Sequence, residues 1–170
     1  MRISKVVAGL KSISRDSRHD PTEKVDVESL LNESVAMCLE KFSSHGVSIQ
    51  IAPFSSMTFF CRPTEISQIL INLLNNAFDA VENQPEKWIR LSACADQINK
   101  TVEISVSDSG TGVPLNLRDK IMQPFFTTKD MGKGTGLGLS ISRGLAQAQG
   151  GDLFFDKASA HTRFVIRLPL

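Results

Sequence analysis

Two glycine-rich stretches, Asp108-Ser-Gly-Thr-Gly112 and Gly132-Lys-Gly-Thr-Gly-Leu-Gly138, bracket the segment Pro124-Phe-Phe-Thr-Thr-Lys129. No other feature constrains the fold as much. Glycine lets a backbone approach a ligand closely or take a positive φ. Two such loops, one opened by a carboxylate and one leading into a helical stretch, predict a nucleotide site. Neither loop is of the usual phosphate-binding kind. A Walker loop needs Gly-x4-Gly-Lys followed by Ser or Thr, and no window fits. A dinucleotide fingerprint needs Gly-x-Gly-x-x-Gly with an acid downstream, whereas here the spacing is Gly134-x-Gly136-x-Gly138 and the acid lies upstream.

The remaining chain has room for one domain and an appended helix in its 170 residues. A net charge of +1 gives no electrostatic sign of a nucleic-acid partner. Cys38, Cys61 and Cys94 show neither metal spacing nor a disulfide framework, which points to a reducing compartment and to buried or half-buried thiols. There is no signal peptide and no run of apolar residues long enough for a membrane span. Any membrane contact would therefore lie outside this sequence.

Ile3, Val6, Leu10 and Ile13 predict a narrow helical seam over residues 1–18, followed by a polar linker to about residue 24. Asp26 can cap a helix over 26–44 that Gly46 stops. Strands are expected at 47–52 and 57–61, and Pro63 suits the first turn of a helix over 63–82. Two more strands, 88–95 and 101–107, precede the glycine-rich region. A helix over 135–149 and strands at 152–156 and 163–168 close the chain. This order implies an α/β (α+β) two-layer sandwich, a mixed sheet with helices on one face.

The helix over 63–82 carries Asn72, Asn76 and Asp79 four and three residues apart, hence on one face. Asparagine is a mediocre helix former. Amide oxygens in a row suit a hard cation such as Mg²⁺ beside phosphates, although such a row alone would equally suit a solvated face. Asp108 ends a strand and can accept a hydrogen bond from the exocyclic amine of adenine; taken alone, it is also an ordinary turn aspartate. Phe125 and Phe126 read as anchors for a mobile lid containing Thr127, Thr128, Lys129 and Lys133, its lysines free to meet phosphates, the other possibility being a plain surface loop. Gly134, Gly136 and Gly138 lead into a helix N-terminus, which favours anions.

With these motifs in this order, residues 25–170 resemble the catalytic and ATP-binding domain of sensor histidine kinases. Those kinases are members of the wider gyrase, heat-shock chaperone, histidine kinase and mismatch-repair ATPase superfamily, so the resemblance implies a Bergerat-type fold. Residues 68–80 resemble the N box, 108–112 and 134–138 the two glycine boxes, and 125–129 the F box. The run from Phe125 onward looks most like the nitrogen-regulation branch. The resemblance implies ATP and Mg²⁺ as ligands, with Asn76 on the metal and Asn72 on the phosphates. Asp108 and Thr162 would lie at adenine, and Lys129 near the phosphates. Gly134, Thr135, Gly136, Leu137 and Gly138 would wrap the phosphates, and Asp79, Gly110, Gly112, Phe125 and Thr128 complete the nucleotide-contact set. In the superfamily's ATPases a Glu one turn before the metal-binding Asn activates water. Here that residue is Asn72, which cannot act as a base and favours phosphoryl transfer. Asn72, Asn76 and Lys129 are thus the expected catalytic residues. A degenerate nucleotide- or partner-binding module and an ATPase of the same fold are the competing functions.

The resemblance further implies that this is a piece of a bacterial kinase and lies in the cytoplasm, the intact protein being either soluble or membrane-anchored. Residues 1–20 would be the second helix of the dimerisation hairpin plus linker. The phosphoacceptor histidine would lie on an absent first helix, since His19, His45 and His161 do not resemble its motif. Partners would be that helix, within a homodimer, and a response-regulator receiver domain. Departures from the pattern are Cys61-Arg-Pro63 before the N box, an acid at Asp79 where some relatives carry a base, and His161-Thr162 in place of Gly-Thr.

Overall fold

The computed structural model describes residues 21–129 and 134–170. The seam over 1–18, His19 and Lys133 lie outside them. Seven strands and three α-helices follow in the order β1 (Glu23–Asp26), α1 (Val27–Ser44), β2 (Ser48–Ile51), β3 (Thr58–Cys61), α2 (Pro63–Val81), β4 (Trp88–Asp96), β5 (Thr101–Asp108), α3 (Gly138–Ala148), β6 (Asp152–Phe155) and β7 (Thr162–Pro169). One short 3₁₀ turn, Leu115–Leu117, interrupts the long connection after β5.

Five strands form a mixed sheet in the order β2-β4-β5-β7-β6. Only β2 and β4 run parallel; the other neighbours are antiparallel. Strand alternation sorts the faces. Ile89, Leu91 and Ala93 of β4, Val102, Ile104 and Val106 of β5, and Phe164, Ile166 and Leu168 of β7 are buried beneath the helices. The opposite face carries Arg90, Glu103, Arg163 and Arg167, with Ser92 and Ser105 sharing a 2.7 Å hydrogen bond. This is the two-layer, one-sided arrangement expected from the sequence.

Helix α2 is the centre of the helical layer. Ile66, Ile69, Leu70, Leu73, Leu74, Ala77 and Phe78 recur at helical spacing and are at most 4% exposed. Phe78 stacks on Phe42 of α1 with ring centres 4.9 Å apart. Pro63 occupies the first turn, where its missing N–H costs nothing. Gln149, just past α3, fastens that helix to α2: its Oε1 accepts from the Arg62 N–H at 2.8 Å and its Nε2 donates to the buried Glu65 at 3.1 Å.

Three sequence expectations need correction. Residues 23 and 24 are not linker: they open a strand, Glu23–Asp26, that pairs antiparallel with β3, Glu23 opposite Cys61 and Asp26 opposite Thr58. The stretch is polar because its residues are exposed or half-buried. Helix α3 begins at Gly138, not at residue 135. Gly136 has φ +68°, a left-handed residue that a helical start cannot contain. Cys38 and Cys61 are buried, but Cys94 is exposed on the open face of the sheet.

Asp26 does cap α1. Its Oδ2 accepts from the Ser29 N–H at 2.9 Å. Asp26→Ala should lower stability by about 1 kcal/mol. A melt of the variant should show a fall of about 2–4 °C in Tm.

Candidate nucleotide site

A cavity of about 950 Å³ opens between α2, the ends of β5 and β7, and the loop entering α3. It is at the upper end of the usual range for small-molecule sites, roughly 300–1,000 Å³. Its walls come from segments far apart in sequence. Asn72, Asn76 and Asp79 project from α2, Asp108 from the end of β5, Gly112 from the connection after it, and Thr128 and Lys129 from beyond Phe126. Gly134, Thr135, Gly136 and Gly138 close the far side, and Thr162 stands at the start of β7.

At one end lies Asp108, only 3% exposed. It has the same parity as Val102, Ile104 and Val106, so the pleat aims it at the helical layer. Thr162 sits directly opposite it in the β5–β7 register. One carboxylate oxygen accepts from the Gly110 N–H at 2.9 Å. Burial pushes the Asp108 carboxyl up to about 6, against the lowering effect of that bond, of the Thr162 hydroxyl and of His161 nearby. His161 stacks edge-on against Trp88 at 4.8 Å. Val106 and Phe164 supply apolar surface beside the carboxylate. Apolar walls beside a buried carboxylate acceptor suit a purine bearing an amino group.

At the other end the polar face of α2 meets the glycine loop. Asn72 Nδ2 donates to Ser142 Oγ of α3 at 3.0 Å. A Cβ at position 138 would lie 2.4 Å from Asn72 Oδ1, so glycine there lets the start of α3 approach the asparagine without displacing its side chain. Lys129 Nζ donates to Asn76 Oδ1 at 3.2 Å and also pairs with the Asp79 carboxylate. Asn75, on the next stripe, is occupied elsewhere: its amide donates to the Ile71 carbonyl and accepts from Lys41.

The structure therefore gathers most of the residues expected from sequence into one cavity. Three stand at its margin. Gly110 backs Asp108 from behind, Leu137 is buried under the loop at 8% exposure, and Phe125 is 71% exposed. Phe125 is not an anchor; Phe126, which packs on the core, is. Sequence reasoning passed over Ser142, Ile121, Val106 and Phe164. The three apolar side chains look like any core position along the chain, and a lone serine in a helix carries no signal. Among the described residues no cluster of His, Cys, Asp and Glu could hold a metal by itself.

Residues 61–170 match the family of histidine kinase-, DNA gyrase B- and HSP90-like ATPases. The chain belongs to this family. Over its whole length it is similar to the two-component sensor PprA of Pseudomonas aeruginosa, 34% identical over an alignment 174 positions long that covers 100% of this chain and 19% of that protein. The chain thus spans about a fifth of that relative's length. Among solved structures, the nucleotide-free catalytic domain of histidine kinase ThkA superposes with TM-score 0.76 at 30% identity, covering 88% of this chain and 95% of that one. ThkA in complex with the response regulator protein TrrA gives TM-score 0.79 at 26% identity, over 99% of this chain and 47% of that one. The fold is that of a histidine kinase catalytic domain. Among the described residues no helix is long and apolar enough to cross a membrane.

Proposed function

We propose that this domain binds ATP with Mg²⁺ in the cavity and donates the γ-phosphoryl group to a histidine on a helix outside these 170 residues. From there the group would pass to an aspartate of a response-regulator receiver domain. The acceptor helix would belong to a homodimeric hairpin of which residues 1–20 are a part, and the setting would be the bacterial cytoplasm. The observation that carries the choice of transfer over hydrolysis is the pairing of Asn72. One turn before Asn76 stands an amide, held by Ser142, where hydrolysis needs a carboxylate to activate water. Asp79, further along the same face, is held by the Lys129 ammonium in the nucleotide-free protein.

The residues fit both ligands. Asp108 and Thr162 would hold the adenine edge, and the glycine backbone at 134–138 would receive the phosphates. Asn76 Oδ1 already faces a cation, the Lys129 ammonium, so its oxygen is aimed where a hard ion could sit. When bound, Mg²⁺ would neutralise charge on the phosphate oxygens. The chain's own contribution is positioning and charge. Asn72 and Asn76 fix the phosphates relative to α2, Lys129 offers an ammonium to the transferring group, and the apolar walls exclude water.

Calorimetric titration with a non-hydrolysable ATP analogue should show Mg²⁺-dependent binding in the micromolar range, about −8 kcal/mol. Supplied with an acceptor helix, the domain should phosphorylate it while hydrolysing ATP slowly. Steady hydrolysis without acceptor would instead place the domain with the ATPases of its family. Asn76→Ala should weaken Mg-analogue binding by about tenfold or more, and metal-free binding far less, since only the loaded state uses the amide oxygen on the ion. The same titration with and without Mg²⁺ checks it.

A further inference from the structure

Asn76 and Asp79 lie one turn apart on α2, and both accept from the same ammonium, that of Lys129. Lys129 reaches them from the loop after Phe126, so the contact is tertiary and not a neighbour pair along the helix. A neutral oxygen and a carboxylate converging on one cation make a small cation site. A hard divalent ion seeks the same two donor types. An ammonium and a divalent ion cannot share that corner, because two cations a few ångströms apart repel. The lysine is also easy to dislodge: its side chain and that of Asp79 are 33% and 38% exposed, and exposed ion pairs are weak.

Charge makes the exchange useful. With Lys129 in place the corner is neutral. With Lys129 gone and nothing in its stead, Asp79 would repel the phosphates.

We propose that Asn76 and Asp79 form an exchange site. Lys129 fills it in the nucleotide-free protein, and the divalent ion accompanying the nucleotide displaces it, releasing the ammonium toward the phosphates. Asp79 is then a positioning residue, acting through whichever cation faces it, and not a nucleotide ligand. This inference rests on the nucleotide-binding reading above.

The test is NMR of isotope-labelled lysine ammonium groups in the free protein, with Lys129→Met to assign the signal. A hydrogen-bonded Lys129 ammonium should be protected from exchange and visible, and Asp79→Asn should abolish the signal. The Mg²⁺-loaded ATP analogue should move it, whereas the analogue in chelator should leave it largely in place. Calorimetry gives a second readout, the ratio of analogue affinity with Mg²⁺ to that without. It should rise about fivefold in Lys129→Met, where Asp79 is left bare, and fall by a similar factor in Asp79→Asn. If the analogue binds but the Lys129 signal stays unchanged on Mg²⁺ loading, or the ratio is the same in all three proteins, the exchange is wrong and the nucleotide reading stands. Failure of the wild type to bind the analogue overturns the nucleotide reading and the exchange with it.

Discussion

Asp108→Asn should lose adenine-nucleotide binding and, at neutral pH, yield a more stable free protein. The first effect follows from which oxygen is already taken. The Gly110 N–H donates to one carboxylate oxygen at 2.9 Å. An asparagine would keep its carbonyl oxygen there, turning its amide nitrogen toward the cavity. The adenine amino group would then meet a donor instead of an acceptor. A lost hydrogen bond plus unpaired buried donors amounts to about 3 kcal/mol, or roughly a hundredfold in affinity. The amide is nearly the same size, so cavity shape is preserved and the loss reports on the acceptor itself.

The stability effect has a defined pH window. The folded-state carboxyl lies at about 6, above the ordinary aspartate value of 3.8. Folding therefore favours the protonated acid. The group penalises the folded state little below pH 4, increasingly between 4 and 6, and fully above 6. Two units correspond to a penalty of about 3 kcal/mol at pH 7. Asn cannot ionise and escapes it. Denaturant titrations of both proteins should therefore nearly coincide at pH 4 and diverge by pH 7, with the variant the more stable. Equal stability at pH 7 would mean that the carboxylate is better solvated than its burial implies. A binding residue that destabilises its own unliganded protein is expected where a polar acceptor must be kept ready in an apolar slot.

How much of this was legible in the sequence differs by element. Helix α2 was readable almost to the residue, because its apolar stripe, its Pro63 start and its asparagine face are all local patterns. Asp108 was readable as a strand end, and the register with Thr162 then put both on the cavity side. Strand β1 was not, since a short exposed segment such as Glu23–Asp26 is strand only because β3 lies beside it. The Lys129 contact to α2 could not be read either. Nothing in spacing says that a lysine 53 residues away will choose Asn76 over solvent. The apolar wall of the cavity was hidden for a third reason: a side chain that lines a ligand slot has the same chemistry as one that fills the core.

Gly136→Ala should disable the site more thoroughly than any other glycine substitution in the loop. Gly136 has φ +68°, and a Cβ there would sit 2.4 Å from the Phe125 carbonyl carbon, 2.6 Å from its oxygen and 2.8 Å from its Cα. The obstacle is backbone and cannot rotate away. Phe125 is itself left-handed at φ +65°, so the two segments meet through a contact in which neither main chain is relaxed. The left-handed conformation alone costs an alanine about 1–2 kcal/mol, and the clash adds to that. Gly112→Ala separates the two terms: it has φ +84° but nothing within 4 Å of the added carbon. It should pay the conformational part only. In Gly136→Ala the loop must shift, drawing Leu137 from its buried seat and moving the start of α3 away from Asn72. Analogue affinity should fall by about a hundredfold, against about tenfold or less for Gly112→Ala, as read by calorimetry. The sheet and α2 do not depend on this loop, so melting should remain cooperative in both variants. Similar losses in the two would show that the Phe125 contact yields, and that the loop's conformation, not its packing, shapes the phosphate end of the cavity.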